Sequence, residues 1–231
     1  MTTYFSVIEP APGAECSAAH QRAVGPYGDH QWLWKFLPAA AGTPRDFLFR
    51  RLDADSSSRF YVVSSRQPEQ LSDSWQVASR EYAPKLTLGE RLRFDLRANP
   101  VVTHAGDGKR RRHDVVMQAK KILLSERGFS NWEQWKDHKK PQLYELVRES
   151  CLRWLTARGH RLVFTIDEEG LAVDGYAQHR GKHDQIRFST VDFSGELVVT
   201  DPSIFTKTLI VGVGHGKAFG CGLLLVRRVT D

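Results

Sequence analysis

Arg91-Leu92-Arg93-Phe94-Asp95-Leu96-Arg97 is the stretch on which the fold turns. Leu92, Phe94 and Leu96 alternate with Arg91, Arg93, Asp95 and Arg97, so one face is apolar and the other charged, the period-two pattern of a half-buried strand. It begins a second unit, because the residues before it already make up a first. Upstream, Thr2 to Glu9 reads as a strand ending at Pro10, and a helical stretch from Cys16 is interrupted at Gly25-Pro26. A second helical piece follows, with Asp29 able to cap it, Leu33, Phe36 and Leu37 on one face, and Pro38 as its stop. Asp46 to Leu52 and Arg59 to Ser64 read as strands joined by a polar turn. A short helix over Pro68 to Ser74 and a strand over Gln76 to Tyr82 would complete a βαββαβ unit.

Downstream the alternation repeats. Gly106-Asp107-Gly108 is a turn signal leading into Lys109-Arg110-Arg111-Arg112-His113, a basic run expected to project from a loop. Helices are predicted over Asp114 to Ser125 and over Pro141 to Ala157, the latter closed by Arg158-Gly159. Strands are predicted at His160 to Ile166, Val173 to His179 and Gln185 to Thr200, the last broken like a hairpin at Ser194-Gly195. A helix over Pro202 to Val211, a glycine-rich loop and an apolar strand over Gly222 to Arg228 finish the chain. The expected fold class is α+β, with domains over 1–88 and 89–231.

Charge follows the same division. The 231 residues carry 33 Lys+Arg against 27 Asp+Glu, a net +6. Residues 1–88 hold 9 of each sign, so the whole excess lies after residue 88. A neutral part followed by a basic one points to a polyanionic partner for the second part, although +6 also fits an ordinary solvated surface. The composition excludes a disordered or collagen-like chain. No apolar run reaches the ~18 residues of a membrane span, and the start does not read as a secretory signal. Cys16, Cys151 and Cys221 match no metal spacing and suit a reducing compartment. The expectation is a soluble, cytoplasmic protein.

The segment Gly212-Val213-Gly214-His215-Gly216-Lys217-Ala218-Phe219-Gly220-Cys221-Gly222 is the most specific in the chain. Its glycines let backbone N–H groups approach a phosphate, and Lys217 adds a point charge; Gly214, Gly216 and Lys217 are the candidate contacts. A Walker A loop is excluded, because Val211 and Ala218 stand where glycine and Ser/Thr are needed. The dinucleotide fingerprint fails as well, since its third glycine is missing and the loop follows a helix. A nucleotide-binding enzyme is thereby disfavoured, and a tight loop packed on a sheet remains the plain alternative.

Three blocks together carry a resemblance: His30-Gln31-Trp32-Leu33-Trp34 to Pro38 with Arg45-Asp46-Phe47-Leu48-Phe49; Leu92 to Pro100; and Gly212 to Leu224. In that order the sequence resembles the CasE family, CRISPR-associated endoribonucleases that process precursor CRISPR RNA and stay in the type I-E Cascade complex. The resemblance implies two tandem ferredoxin-like (RRM-like) domains and binding of a CRISPR repeat hairpin RNA. It further implies metal-independent cleavage at the 3′ base of the stem, no cofactor, and assembly with other Cascade subunits. Residues 114–140 match least, and no functional residue is carried into them.

The same resemblance places the active histidine on His30, with Tyr27 three residues earlier on the same side if the helix reaches back that far. These types suit RNA cleavage, where the substrate supplies the 2′-OH nucleophile and the protein supplies positioning, proton transfer and charge. His20 is the competing proton carrier, and a structural role for His30 is the plain alternative. For binding, Lys109, Arg110, Arg111 and Arg112 could grip the phosphates of an A-form stem. Arg91, Arg93 and Arg97 could track a backbone, or simply be the wet face of a sheet. Phe60-Tyr61 is read as core and not as a base-stacking platform. A structured-RNA-binding subunit without cleavage is the alternative function.

Overall fold

Tyr4–Pro10 (β1) runs between Ser57–Ser64 (β3) and Trp75–Glu81 (β4), and Phe47–Ala54 (β2) pairs with β3. The resulting sheet is antiparallel throughout with order β2-β3-β1-β4, its register set by pairs such as Ile8↔Phe60, Val7↔Ala78 and Phe49↔Val62. The computed structural model describes residues 2–22, 26–54, 57–106, 109–180 and 187–229. It divides into two units, residues 1–87 with 206–224 and residues 88–205 with 225–231.

In the first unit two helices, Glu15–Gln21 (α1) and Pro26–Leu33 (α2), follow β1. Pro26 is tolerated in the first turn, where its missing N–H would have no partner. Backbone bonds from Lys35 to Trp32, Phe36 to Leu33 and Leu37 to Trp34 tighten the exit of α2 into 3₁₀-type turns ahead of Pro38. That winding brings Trp32, Leu33, Phe36 and Leu37 onto the sheet, where they join Ile8, Phe47, Phe49, Phe60, Val62 and Trp75 in one buried cluster. Trp32 is its centre, with ring centroids 4.5 Å from Trp75, 4.7 Å from Phe36 and 5.1 Å from Phe60. Phe60 is core as expected, while Tyr61 is half-buried and packs at 6.0 Å on Phe5.

Two expectations fail in this unit. Residues 68–74 form no helix; Glu69 N–H instead donates to the Phe36 carbonyl at 2.8 Å, and Leu71 is exposed, so no apolar stripe favours winding. Asp29 is not a cap, because α2 already begins at Pro26, and its buried carboxylate serves an ion pair instead.

The second unit is built on Arg91–Ala98 (β5), whose Leu92, Phe94, Leu96 and Ala98 are buried as the alternation requires. Then come Val101–Gly106 (β6), Lys109–Asp114 (β7), Val115–Arg127 (α3), Leu143–Leu162 (α4), Phe164–Ile166 (β8), Ala172–Arg180 (β9), Arg187–Val199 (β10), Pro202–Val211 (α5) and Leu224–Arg228 (β11). The main sheet has order β11-β5-β10-β8, with β9 also on β10. Trp154 of α4 stacks on Phe193 of β10 at 6.1 Å and donates its indole N–H to the Val101 carbonyl. Asp114 caps α3 by accepting from Met117 N–H, a contact worth about 1 kcal/mol.

Four local expectations are corrected here. The basic run lies on β7, which pairs antiparallel with β6 with Gly106 opposite Lys109, so it belongs to a strand and not to a loop; the Asp107-Gly108 turn signal lies outside the described residues. Gly159 does not stop α4, which runs to Leu162; a Cβ there would lie 2.7 Å from the Phe164 carbonyl oxygen, so the glycine serves packing. The predicted strand beginning at His160 consequently starts only at Phe164. Ser194-Gly195 is no hairpin, for β10 continues through it with Gly195 opposite Phe94, leaving room for Leu171.

The segment 206–224, assigned to the second domain from sequence, groups with the first unit, against Leu48 and Phe49 of β2. The chain crosses between units within α5 and again at the start of β11. Among the described residues no helix is long and apolar enough to cross a membrane.

Candidate functional site

Ion pairing fastens α2 to β2. Asp29 is buried and meets Arg51 of β2 at 2.7 Å and Arg22 at 3.4 Å. Burial raises its carboxyl pKa more than the two arginines lower it. One residue on, His30 is half-buried, its ring 5.7 Å from Phe47 of β2 and edge-on to Trp34 at 6.2 Å. Burial pushes its pKa below 6.5, and repulsion from Arg45 pushes the same way, so the neutral imidazole predominates at pH 7. Position 27 is in α2, one turn before position 30; the Tyr27 side chain lies outside the described residues.

The chain entering β2 is held as firmly. Arg66 donates from Nε and Nη2 to the two oxygens of Asp46, each at 2.8 Å, and from Nη1 to the Leu37 and Pro38 carbonyls. Ser65 Oγ donates to Asp46 at 2.5 Å, and together these donors hold the Asp46 pKa down to about 2. The exit of α2 and the entrance of β2 are thus one clamped corner.

The glycine-rich loop joins this unit through close backbone approach. Val213 N–H donates to the Gly222 carbonyl at 2.8 Å. A Cβ on Gly212 would lie 2.7 Å from both the Gly222 oxygen and the Leu48 side chain, and one on Gly222 would lie 2.7 Å from the Val213 oxygen. Only glycine fits either place. Between them Gly214 and Gly216 take φ of 76° and 74°, and a 3₁₀ turn over Lys217–Phe219 packs on α2. Lys217 is half-buried, its pKa lowered by burial and then by Arg45, the same cation that acts on His30. His30, Arg45 and Lys217 therefore form a positively biased cluster around a histidine able to take up a proton.

His20 is exposed on α1 and donates its Nδ1 to the Cys16 carbonyl at 2.7 Å. On the hairpin Arg111 and Arg112 are exposed on β7, while the side chains of Lys109 and Arg110 fall outside the described residues. Arg91 and Arg93 both reach Glu196 across the β5–β10 ladder, and Arg97 makes a two-point pair with Asp192 at 2.9 and 2.7 Å. That arginine face is thus partly answered by carboxylates. Sequence reading passed over Arg45 and β6. The charged Arg45-Asp46 pair before an apolar strand and the Asp-Gly pair after Gly106 were the available signals.

Comparison with known proteins agrees over nearly the whole length. The family described as CRISPR associated protein matches residues 3–228. CRISPR-associated endoribonuclease Cse3 of Thermus thermophilus is 31% identical over 95% of this chain and 96% of its own. CRISPR system Cascade subunit CasE of Escherichia coli K12 is 26% identical over 86% and 89%. A structure of CRISPR endoribonuclease Cse3 bound to a 19-nucleotide RNA superposes with a TM-score of 0.67 and 26% identity, covering 98% of this chain and all of that one.

Proposed function

This chain belongs to the CRISPR-associated protein family, and from that premise we propose that it is an endoribonuclease that binds a CRISPR repeat hairpin and cuts precursor CRISPR RNA. The cut falls at the 3′ base of the stem, and the mature RNA is retained as part of a Cascade complex. The observation that carries the mechanism is the neutral, half-buried His30 clamped in one unit with Lys217. Both units read as ferredoxin-like, supported by their shared order: β2-β3-β1-β4 in the first matches β8-β10-β5-β11 in the second.

His30 takes the proton from the 2′-OH beside the scissile phosphate as that oxygen attacks phosphorus. Lys217 and the backbone of Gly214 and Gly216 stabilise the charge that develops on the phosphate oxygens. The bond to the 5′-oxygen breaks and that oxygen takes a proton from solvent, leaving a 2′,3′-cyclic phosphate and a 5′-OH. Tyr27, one helical turn before His30, orients the ribose or phosphate. No step requires a metal, because nucleophile, base and counter-charge are all supplied. Arg111 and Arg112, with Lys109 and Arg110, hold the stem's phosphates, and Arg91, Arg93 and Arg97 contribute where their carboxylates leave them accessible.

The test is cleavage of repeat-hairpin RNA in EDTA by wild type and His30→Ala. Wild type is expected to cut and the variant to bind without cutting. Cutting by both or by neither would falsify the His30 mechanism, and binding without cutting by wild type would establish the non-catalytic alternative. A 2′-deoxy substitution at the scissile nucleotide is expected to abolish cleavage; persistence would exclude the internal nucleophile.

A further inference from the structure

The protein provides carboxylates for most of the arginines of its first unit. Asp29 answers Arg51 and Arg22, Glu9 answers Arg59, and Asp46 answers Arg66. Arg45 is treated differently. Its neighbour Asp46 is occupied by Arg66 and Ser65, and the Arg45 Nε and Nη1 are buried with no hydrogen-bond acceptor among the described residues. Burying guanidinium donors without acceptors is destabilising, so a fold optimised only for stability would not keep them.

The position of Arg45 explains what could repay that cost. It stands two residues before Phe47, on which His30 packs, and its charge reaches both His30 and Lys217. The loop carrying Lys217 is itself seated on Leu48 and Phe49, the next residues of the same strand. Two cations and a histidine therefore converge on the entrance of β2, all three with pKa values lowered by burial and, for His30 and Lys217, by the Arg45 charge as well. Such a place is made for an anion that arrives from outside. A phosphate diester has two non-bridging oxygens and suits the planar, two-point donor geometry of guanidinium better than a point charge does.

We propose that Arg45 is a phosphate-binding residue of the cleavage site, its otherwise unanswered guanidinium donors closing on the non-bridging oxygens of the scissile phosphate. This rests on the endoribonuclease reading above and adds a residue to it. For Arg45 to turn toward RNA, no bond from Nε or Nη1 to the described residues must first be broken. The clamp on Asp46, by contrast, keeps the backbone beneath it fixed.

The experiment compares two uncleavable 2′-deoxy repeat hairpins, one with a normal scissile phosphate and one with a neutral methylphosphonate there. Each is titrated against wild type, Arg45→Met and Arg45→Lys, with a thermal melt of each protein. Wild type is expected to prefer the charged linkage by about 10-fold or more. Arg45→Met should lose most of that preference while melting at the same or a higher temperature, and Arg45→Lys should keep part of it. Full preference in Arg45→Met overturns the assignment, as does a fall in melting temperature with the preference unchanged, which would make Arg45 structural. Wild type that binds neither hairpin overturns the RNA reading itself, a result distinct from both.

Discussion

A histidine kept neutral at pH 7 can accept a proton without first losing one, and this sets the pH behaviour of His30. Its pKa lies below 6.5 through burial and the nearby Arg45 charge, so cleavage is expected to hold level from pH 8 down past 6.5. It then falls as pH drops through the lowered value and the imidazole becomes protonated. A single-turnover pH–rate profile measures this, and a decline beginning well above pH 6.5 contradicts it. His30→Ala should cost about 10² to 10⁴-fold in rate with RNA affinity little changed, the range of positioned acid–base catalysis. Folding shares the dependence: the neutral ring's contribution is intact above 6.5 and is lost as pH falls through the folded value. Asp46 behaves likewise in a more acidic window, its contribution complete above 3.8 and lost as pH falls through about 2. Because solvent reaches both Asp46 and Arg66, Asp46→Asn is expected to cost only about 1–2 kcal/mol in denaturant melts at pH 7. At pH 2 much of that difference should vanish.

Elements in this protein are held by close approaches that helix or strand preference alone would miss. Alanine is favoured over glycine in a helix interior by about 1 kcal/mol, yet Gly159→Ala in α4 should destabilise, because its Cβ would meet the Phe164 carbonyl at 2.7 Å. A higher melting temperature in that variant would show that the corner relaxes. Gly222→Ala faces a similar clash with the Val213 oxygen, at a φ of 92°, and should cost about 2 kcal/mol or more while displacing the Lys217 turn. Measured together, stability and cleavage should both fall. These positions explain what sequence reading could and could not reach. β5 was legible because seven residues alternate without exception, and α5 because Pro202 follows Asp201 at its start. Gly159 and Gly195 looked like breaks because a glycine that admits a neighbour has the same letter as one that turns the chain. The false helix at Pro68 came from completing a repeat that the residues there do not support. His30 is reached by resemblance, whereas nothing in the sequence around Arg45 signals that its Nε and Nη1 find no acceptor among the described residues.

At the scale of the whole molecule, the charge excess belongs to residues 89–231, and its contribution to RNA binding depends on how it is paired. Arg111 and Arg112 are exposed on β7, so replacing both by Ala should weaken hairpin binding and lower the salt slope by roughly one to two units. Arg91 and Arg93 share Glu196, so their removal should flatten the slope less. Titrations between 50 and 200 mM salt decide between equal and unequal slopes. The first unit has a different large-scale property: it is discontinuous in sequence, since residues 206–224 complete what residues 1–87 begin. During synthesis His30 leaves the ribosome early, but Lys217 follows only after the intervening 88–205, on the order of 10 s later at ordinary elongation rates. On the proposed mechanism, a chain that stops before residue 206 therefore carries His30 without Lys217 and its glycine-rich loop. Cleavage competence is then expected only once residues 206–224 have emerged, after residues 88–205 of the second unit have already left the ribosome.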